Sequence, residues 1–398
     1  MDSATSQTRQ QMSQLQQQWI AIAFIWLIIV GAAAWLLKDI FNPILPLTTT
    51  IFCLIILWRG LSDNHREGES QLLPSLGLGN HLTLLRGLAI SLVAGFIFVS
   101  RPSGWLAWLP MFLYTFADIA DYFDGYLARV THHTTKLGSK LDIEFDGLGM
   151  LVVTVLGIWY GMLPLWYILL GIARPWFIFG LWRRAQQGKP IFEMVPSIHR
   201  RIFAGFQMGF MSAVLWPIIP PSMTYIAGTI FGLATGLGFI RDWLTVNGHL
   251  SPTNPTFQRW WQQLVLLCKN WLPLSLRLLL PITIIMIYAP FSNKVAPSMW
   301  ADLMASWGMS GTVFWAGLLG ITGIVGTLLV TAGVTGRLMS LLLVYPIGFD
   351  MATIGLTLWN GMATAAVIYL MLLGMSPFTL WQPEEQFIMK RLGGQIEK

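Results

Sequence analysis

Apolar runs long enough to cross a bilayer recur along this chain, and they leave few options for its fold. The first, Trp19 to Leu37, holds nineteen residues with no charge before Lys38. A membrane-crossing helix needs about 20 apolar residues. In hydrocarbon every backbone N–H and C=O has to be satisfied within the protein, which a helix does by itself and an open strand does not. Composition agrees: 55% of the 398 residues are hydrophobic and the mean hydropathy is +0.62. An all-α, polytopic integral membrane protein is expected rather than a soluble enzyme. Twenty tryptophans support this, because the indole ring favours the membrane interface.

Taken in order, Trp19 to Leu37 and the shorter Ile44 to Trp58 precede a polar linker from Arg59 to Gly79. The linker reads as a boundary, making 1–79 an N-terminal extension with one or two helices. Six spans are expected within a core at 80–246, near 81–100, 105–129, 139–162, 165–182, 202–219 and 223–244. Another linker, Thr245 to about Asn270, contains FQRWWQQLVLLCK, read as an amphipathic helix at the interface. Up to four further spans, near 272–289, 312–331, 339–358 and 362–375, make 247–398 a C-terminal membrane region. Pro281 and Pro346 are expected to kink two of them. Arg277 and Asp350 read as interface charges.

Residues 1–18 are polar and Gln-rich with Arg9 as their one basic residue, so the first apolar run reads as a retained anchor. The net charge of +6 is spread over loops. That pattern points to anionic headgroups and phosphate substrates, not nucleic acid. Cys53 and Cys268 are far apart and suggest neither a disulfide framework nor a metal site. Arg129, Lys136, Lys140, Arg183, Arg184, Lys189, Arg200 and Arg201 fall in loops on one side of the expected core, against Arg101 on the other. The positive-inside rule makes the first side cytoplasmic.

On that side lies DIADYFDGYLARVTHHTTKLGSKLDIEFD, Asp118 to Asp146, with five aspartates in 29 residues. Asp121 and Asp124 are i, i+3 on one helical run and Asp142 and Asp146 are i, i+4 on the next, so each pair shares a face. THHTT reads as the connection between them. Two helix ends meeting across it would converge four carboxylates. Bare charges there would repel and protonate unless cations were bound. Oxygen ligands without Cys or His favour a hard ion, Mg²⁺ or Mn²⁺.

These residues spell Asp121 xx Asp124 Gly125 xx Ala128 Arg129, eight residues, Gly138, three residues, Asp142, three residues, Asp146. The spacing resembles the DxxDGxxARx8Gx3Dx3D signature of the CDP-alcohol phosphotransferase family at every fixed position. The run NHLTLLR, Asn80 to Arg86, resembles that family's NxLTLxR opening. The resemblance implies a six-helix core that transfers a phosphoryl-alcohol group from a CDP-alcohol to an acceptor hydroxyl and releases CMP. It also implies two metal ions about 4 Å apart that clamp attacking and leaving oxygens.

Carried over residue by residue, Asp121, Asp124, Asp142 and Asp146 would be metal ligands, with Asp146 also the general base. Asn80, Thr83, Gly125, Ala128, Arg129, Thr135 and Gly138 would contact the CDP moiety, Gly125 and Ala128 by leaving room for it and Arg129 through its forked donors. Gly138 would also permit the turn into the second helix. Arg174, Arg200 and Arg201 are candidate acceptor contacts suited to glycerol 3-phosphate or inositol phosphate. The implied partners are a CDP-linked lipid donor such as CDP-diacylglycerol, a small polar acceptor, membrane lipids and a second copy of the chain.

Plainer readings stand beside these. Asp118 would cap or support rather than ligate, and Glu144, His132 and His133 would be loop-facing. Arg174 can equally snorkel or bond a backbone carbonyl, and Arg200 and Arg201 can simply follow the charge rule. A divalent-cation transporter would explain intramembrane carboxylates but not the Gly, Ala and Arg positions. A membrane prenyltransferase would use aspartate motifs on well-separated helices, not a cluster this compact.

Overall fold

The computed structural model of the chain describes residues 2–193, 198–250, 255–288, 296–375 and 378–384; within them the side chains at 2–5, 198–202, 255–258 and 261 lie outside the described set. The elements are α1 (Asp2–Leu36), α2 (Ile44–Gly60), α3 (Gly77–Ala94), α4 (Leu109–Val130), α5 (Lys136–Trp159), α6 (Ile168–Gly171), α7 (Ala173–Gln186), α8 (Ile198–Val214), α9 (Pro221–Val246), α10 (Pro255–Leu266), α11 (Leu272–Tyr288), α12 (Ala296–Ser306), α13 (Thr312–Ala332), α14 (Gly336–Ile354) and α15 (Leu358–Leu373). Among the described residues there is no strand; a single parallel bridge joins Val334 and Trp381.

Among the described residues, six helical stretches are long and apolar enough to cross a membrane: Ser6–Leu36, Ile44–Asp63, Pro221–Val246, Gln262–Tyr288, Thr312–Ala332 and Gly336–Ile354. A seventh would be the pair Leu165–Gly171 and Ala173–Gln186, bent by 50° at its break. The sequence places further spans at 105–129 and 139–162, where α4 and α5 stand. At 22 and 24 residues these reach about 33 and 36 Å at 1.5 Å per residue. Length suffices, but their charges keep them out of the apolar set.

The chain divides into two compact units, residues 1–175 with 208–217, and residues 176–207 with 218–398. In the first, α3 packs against α2, α4 and α5. Two glycines set how closely. A Cβ on Gly79 would stand 2.9 Å from both Ala128 Cβ and the Asp124 carbonyl, and one on Gly87 would stand 2.6 Å from the Phe145 ring. The helices therefore approach backbone to side chain at these two points. Leu15 and Trp26 of α1, Cys53 and Leu57 of α2, Leu84 and Leu88 of α3, and Leu137, Leu141 and Phe145 of α5 form one buried cluster. Because α1 and α2 are apolar enough to lie in a bilayer, close packing rather than withdrawal from water holds their part of this cluster together.

The linker that reads as a boundary is folded onto its neighbours. Asn64, fully buried, donates to the carbonyls of Leu73 (3.1 Å) and Ser75 (2.9 Å). Gln18 of α1 donates to the Pro74 carbonyl at 3.0 Å and accepts from the Leu76 amide at 3.1 Å. The N-terminal helices are thus wired to the residues that lead into α3.

In the second unit, α13 packs against α11, α12 and α14, and α15 against α9, α11 and α14. The helix α12 is not among the sequence-expected elements. The expected interfacial helix, α10, does not stop short of the next span: it continues through a π-turn, Leu267–Trp271, into α11. The Cys268 carbonyl in that turn accepts from the Tyr369 hydroxyl at 2.8 Å, a side-chain replacement for the shifted ladder.

Arg277 and Asp350 are 3% and 2% exposed, each enclosed by the helices around it. Arg277 donates to the carbonyls of Val330 (3.0 Å), Thr331 (2.7 Å) and Phe378 (2.7 Å). Arg337 donates likewise to Met371 (2.6 Å) and Leu372 (3.0 Å). Each guanidinium therefore sits at a helix C-terminus, where carbonyls lack intrahelical donors and the dipole favours a cation. Asp350 accepts from Asn360 at 3.0 Å.

Candidate active site

Helix α4 ends at Val130 and α5 starts at Lys136, so THHTT alone turns the chain back. His132 adopts φ 52°, the left-handed conformation such a reversal needs. Thr135 is the N-cap of α5: its hydroxyl accepts from the Gly138 amide at 3.0 Å. The same hydroxyl accepts from Asn80 Nδ2 at 3.1 Å. One side chain of α3 thereby fixes where α5 begins.

Across this turn the aspartates converge. Oxygens of Asp121, Asp142 and Asp146 lie within 4.8 Å of one another. Asp124 stands behind them, its Oδ2 accepting from Thr83 Oγ1 at 2.8 Å. Exposure of the side chains rises from 9% at Asp124 through 27% at Asp121 to 39% at Asp146 and 45% at Asp142. The cluster is closed at Asp124 and open at the α5 pair.

At the closed end is a cation that the sequence reading does not assign to the site. Arg86, 2% exposed, donates through Nη1 to Asp121 and to Asp142 Oδ1 (3.0 Å), and through Nη2 to Asp146. Its Nη2 also donates to the Asp142 carbonyl at 3.3 Å, and its Nη1 lies 3.6 Å from Asp124 Oδ2. One guanidinium touches all four signature carboxylates. The signal for it is present in the run NHLTLLR: Asn80, Thr83 and Arg86 are spaced i, i+3, i+6, one stripe of a helix, and a lone arginine in an apolar helix needs partners.

The small residues of the signature have reasons of their own. A Cβ on Gly125 would stand 3.2 Å from Arg129 Nη1, so the absence of a side chain there leaves space beside the Arg129 guanidinium. Ala128 is small where Gly79 of α3 meets it. Gly138 has ordinary helical geometry within α5 and is not needed for a turn; a Cβ there would stand 2.5 Å from Asn80 Oδ1. Arg174 donates to the Ile143 carbonyl, the structural bond foreseen as one of its two readings. The side chains of Arg200 and Arg201 lie outside the described residues. Asp118 lies inside α4 rather than at a cap, with its Oδ2 buried and without a hydrogen-bond partner among the described residues. Glu144 and His132 are exposed, and His133 Nε2 is 2.9 Å from the Ser75 carbonyl, as expected of loop-facing groups.

Three convergent carboxylates with a fourth behind them offer only oxygen donors, which fits a hard divalent cation better than a soft one. The open edge at Asp142 and Asp146 leaves room for an anionic group beside such an ion.

Residues 76–240 match the CDP-alcohol phosphatidyltransferase family. The chain is 26% identical over 147 residues to proteins of Mycobacterium tuberculosis and Mycobacterium bovis described as putative cardiolipin synthases, covering 35% of this chain and 65% of theirs. It is 37% identical over 106 residues to a CDP-diacylglycerol–glycerol-3-phosphate 3-phosphatidyltransferase of Cereibacter sphaeroides, covering 26% of this chain and 47% of that one. The similarity thus spans less than two thirds of each relative. No solved structure matches the chain. The signature, the two helices that gather its aspartates and the match agree: residues 76–240 carry a CDP-alcohol phosphatidyltransferase domain.

Proposed function

We propose that this protein transfers the phosphatidyl group of CDP-diacylglycerol to a hydroxyl of glycerol 3-phosphate, releasing CMP, in phospholipid synthesis. The observation that carries the reading is the convergence of Asp121, Asp142 and Asp146 at the open edge of a site closed by Asp124. The Cereibacter relative, named for that donor and acceptor, supports glycerol 3-phosphate over inositol phosphate.

In the reaction the acceptor oxygen bonds to the phosphatidyl phosphorus, the bond from that phosphorus to the diphosphate bridging oxygen breaks, and CMP departs with the electron pair. Asp146, at 39% exposure, is accessible to an acceptor hydroxyl and takes its proton. Asp121, Asp124, Asp142 and Asp146 would hold two Mg²⁺ or Mn²⁺ ions. When bound, these neutralise diphosphate charge and align attacking and leaving oxygens. Arg129, exposed beside Gly125, would meet a diphosphate oxygen through its forked donors. Asn80, Thr83, Thr135 and Gly138 would contact the CDP moiety, as the family resemblance implies, while Asn80, Thr83 and Thr135 also tie α3 to α4 and α5. Arg174 spends one donor on Ile143 and has others for the acceptor phosphate.

The excess of basic loop residues on the motif side supports a cytoplasmic active site, and pairing of two copies is carried over from the family. The test is to incubate purified protein with Mg²⁺, CDP-diacylglycerol and separate acceptors, then identify the lipid product by mass. Phosphatidylglycerophosphate with matching CMP is expected; CMP release with no acceptor-dependent lipid would refute the reading.

A further inference from the structure

The four signature carboxylates already have a cation among them, and the role inferred for it rests on the reading of this site as a metal centre. Thr83 engages Oδ2 of Asp124, while Arg86 engages Oδ1 of Asp121, Asp142 and Asp146. Helix α3 thus engages one oxygen of each of the four carboxylates. An arginine is protonated throughout the working pH range. At 2% exposure its charge is balanced by the carboxylates rather than by water, and it cancels part of their mutual repulsion in return.

We propose that Arg86 is a built-in counter-ion of the metal site. It holds the carboxylates convergent when no divalent ion is bound, and it weakens the affinity for such an ion, so that the metal stays exchangeable. The second consequence comes from Coulomb's law: a fixed positive charge within a few ångströms of the ligand oxygens opposes a divalent cation, by roughly tenfold or more in dissociation constant. Losing Arg86 would also loosen the aspartates, which disfavours metal binding. Aspartate has two side-chain torsions, however, so the ordering lost is small beside the charge removed.

The experiment compares Mn²⁺ binding, followed by electron paramagnetic resonance on the purified full-length protein in detergent, between the parent, Arg86→Gln and Arg86→Lys. Arg86→Gln is expected to bind Mn²⁺ about tenfold or more tightly. In chelator it should unfold at a lower temperature than the parent, and saturating Mn²⁺ should close that gap. Arg86→Lys keeps the charge without the fork, and its Mn²⁺ affinity should stay within about threefold of the parent's. Arg86→Gln that binds Mn²⁺ no more tightly than the parent, or is equally heat-stable in chelator, overturns the proposal. Should Arg86→Gln not be recovered with or without Mn²⁺, Arg86→Lys decides: a folded, parent-like binder supports the counter-ion role and an unfolded one overturns it. A parent protein that binds no Mn²⁺ would sink the metal reading itself, a failure distinct from unchanged affinity in Arg86→Gln.

Discussion

Asn80 and Thr135 are joined across 55 residues by a 3.1 Å hydrogen bond, and the Thr135 hydroxyl that receives it also caps α5. The register of the second aspartate helix is therefore set by a side chain of α3. With Thr83 on Asp124 and Arg86 on Asp121, this contact couples the NHLTLLR run to both aspartate helices.

Thr135→Ala removes both bonds. An N-cap of this kind contributes about 0.5–2 kcal/mol, and the lost Asn80 contact adds to that. A lowered unfolding temperature in detergent should accompany reduced CMP release, whereas Thr135→Ser should retain most of both.

Asp146→Asn keeps the shape of the side chain and removes its basicity. Turnover should fall by at least about a hundredfold, the range of general-base catalysis, and loss of one charged partner of the buried Arg86 should lower the unfolding temperature as well. Near-parental CMP release would reassign the base.

Gly79→Val places branched carbon where a Cβ alone would already stand 2.9 Å from Ala128 and the Asp124 carbonyl. Separating α3 from α4 is expected to destabilise the protein by about 1–3 kcal/mol and to draw Thr83 away from Asp124, lowering activity with it. Gly31→Ala, with nothing within 4 Å of its Cβ, serves as the control and should leave the unfolding temperature unchanged.

Gln18→Leu tests whether the N-terminal helices are part of the catalytic unit. The substitution leaves the Leu76 amide without its acceptor and the Pro74 carbonyl without its donor. A cost of about 0.5–1.5 kcal/mol is expected, readable as a lower unfolding temperature and as easier proteolysis between residues 61 and 76.

Chelation should abolish CMP release, and added Mg²⁺ or Mn²⁺ should restore it, because the convergent donors are all hard oxygens. Full activity in excess chelator would contradict the assignment of the aspartates.

Much of this site is legible in the amino-acid sequence alone. The i, i+3 and i, i+4 spacing of the aspartates and the breaking character of THHTT are local properties of a helical chain, and local geometry alone puts each pair on one face. The all-α membrane class comes as directly from uninterrupted apolar runs, since hydrocarbon admits few other backbones. Only tertiary structure decided that Arg86 enters the cluster, that Gly125 and Gly138 make room for Arg129 and Asn80, and that Arg277 and Arg337 end helices from inside the protein. Most such partners lie tens of residues apart, and a buried charge takes whichever carboxylate or carbonyl the packing brings to it. Sequence spacing can demand a partner for an arginine in an apolar helix, but three-dimensional packing chooses which one.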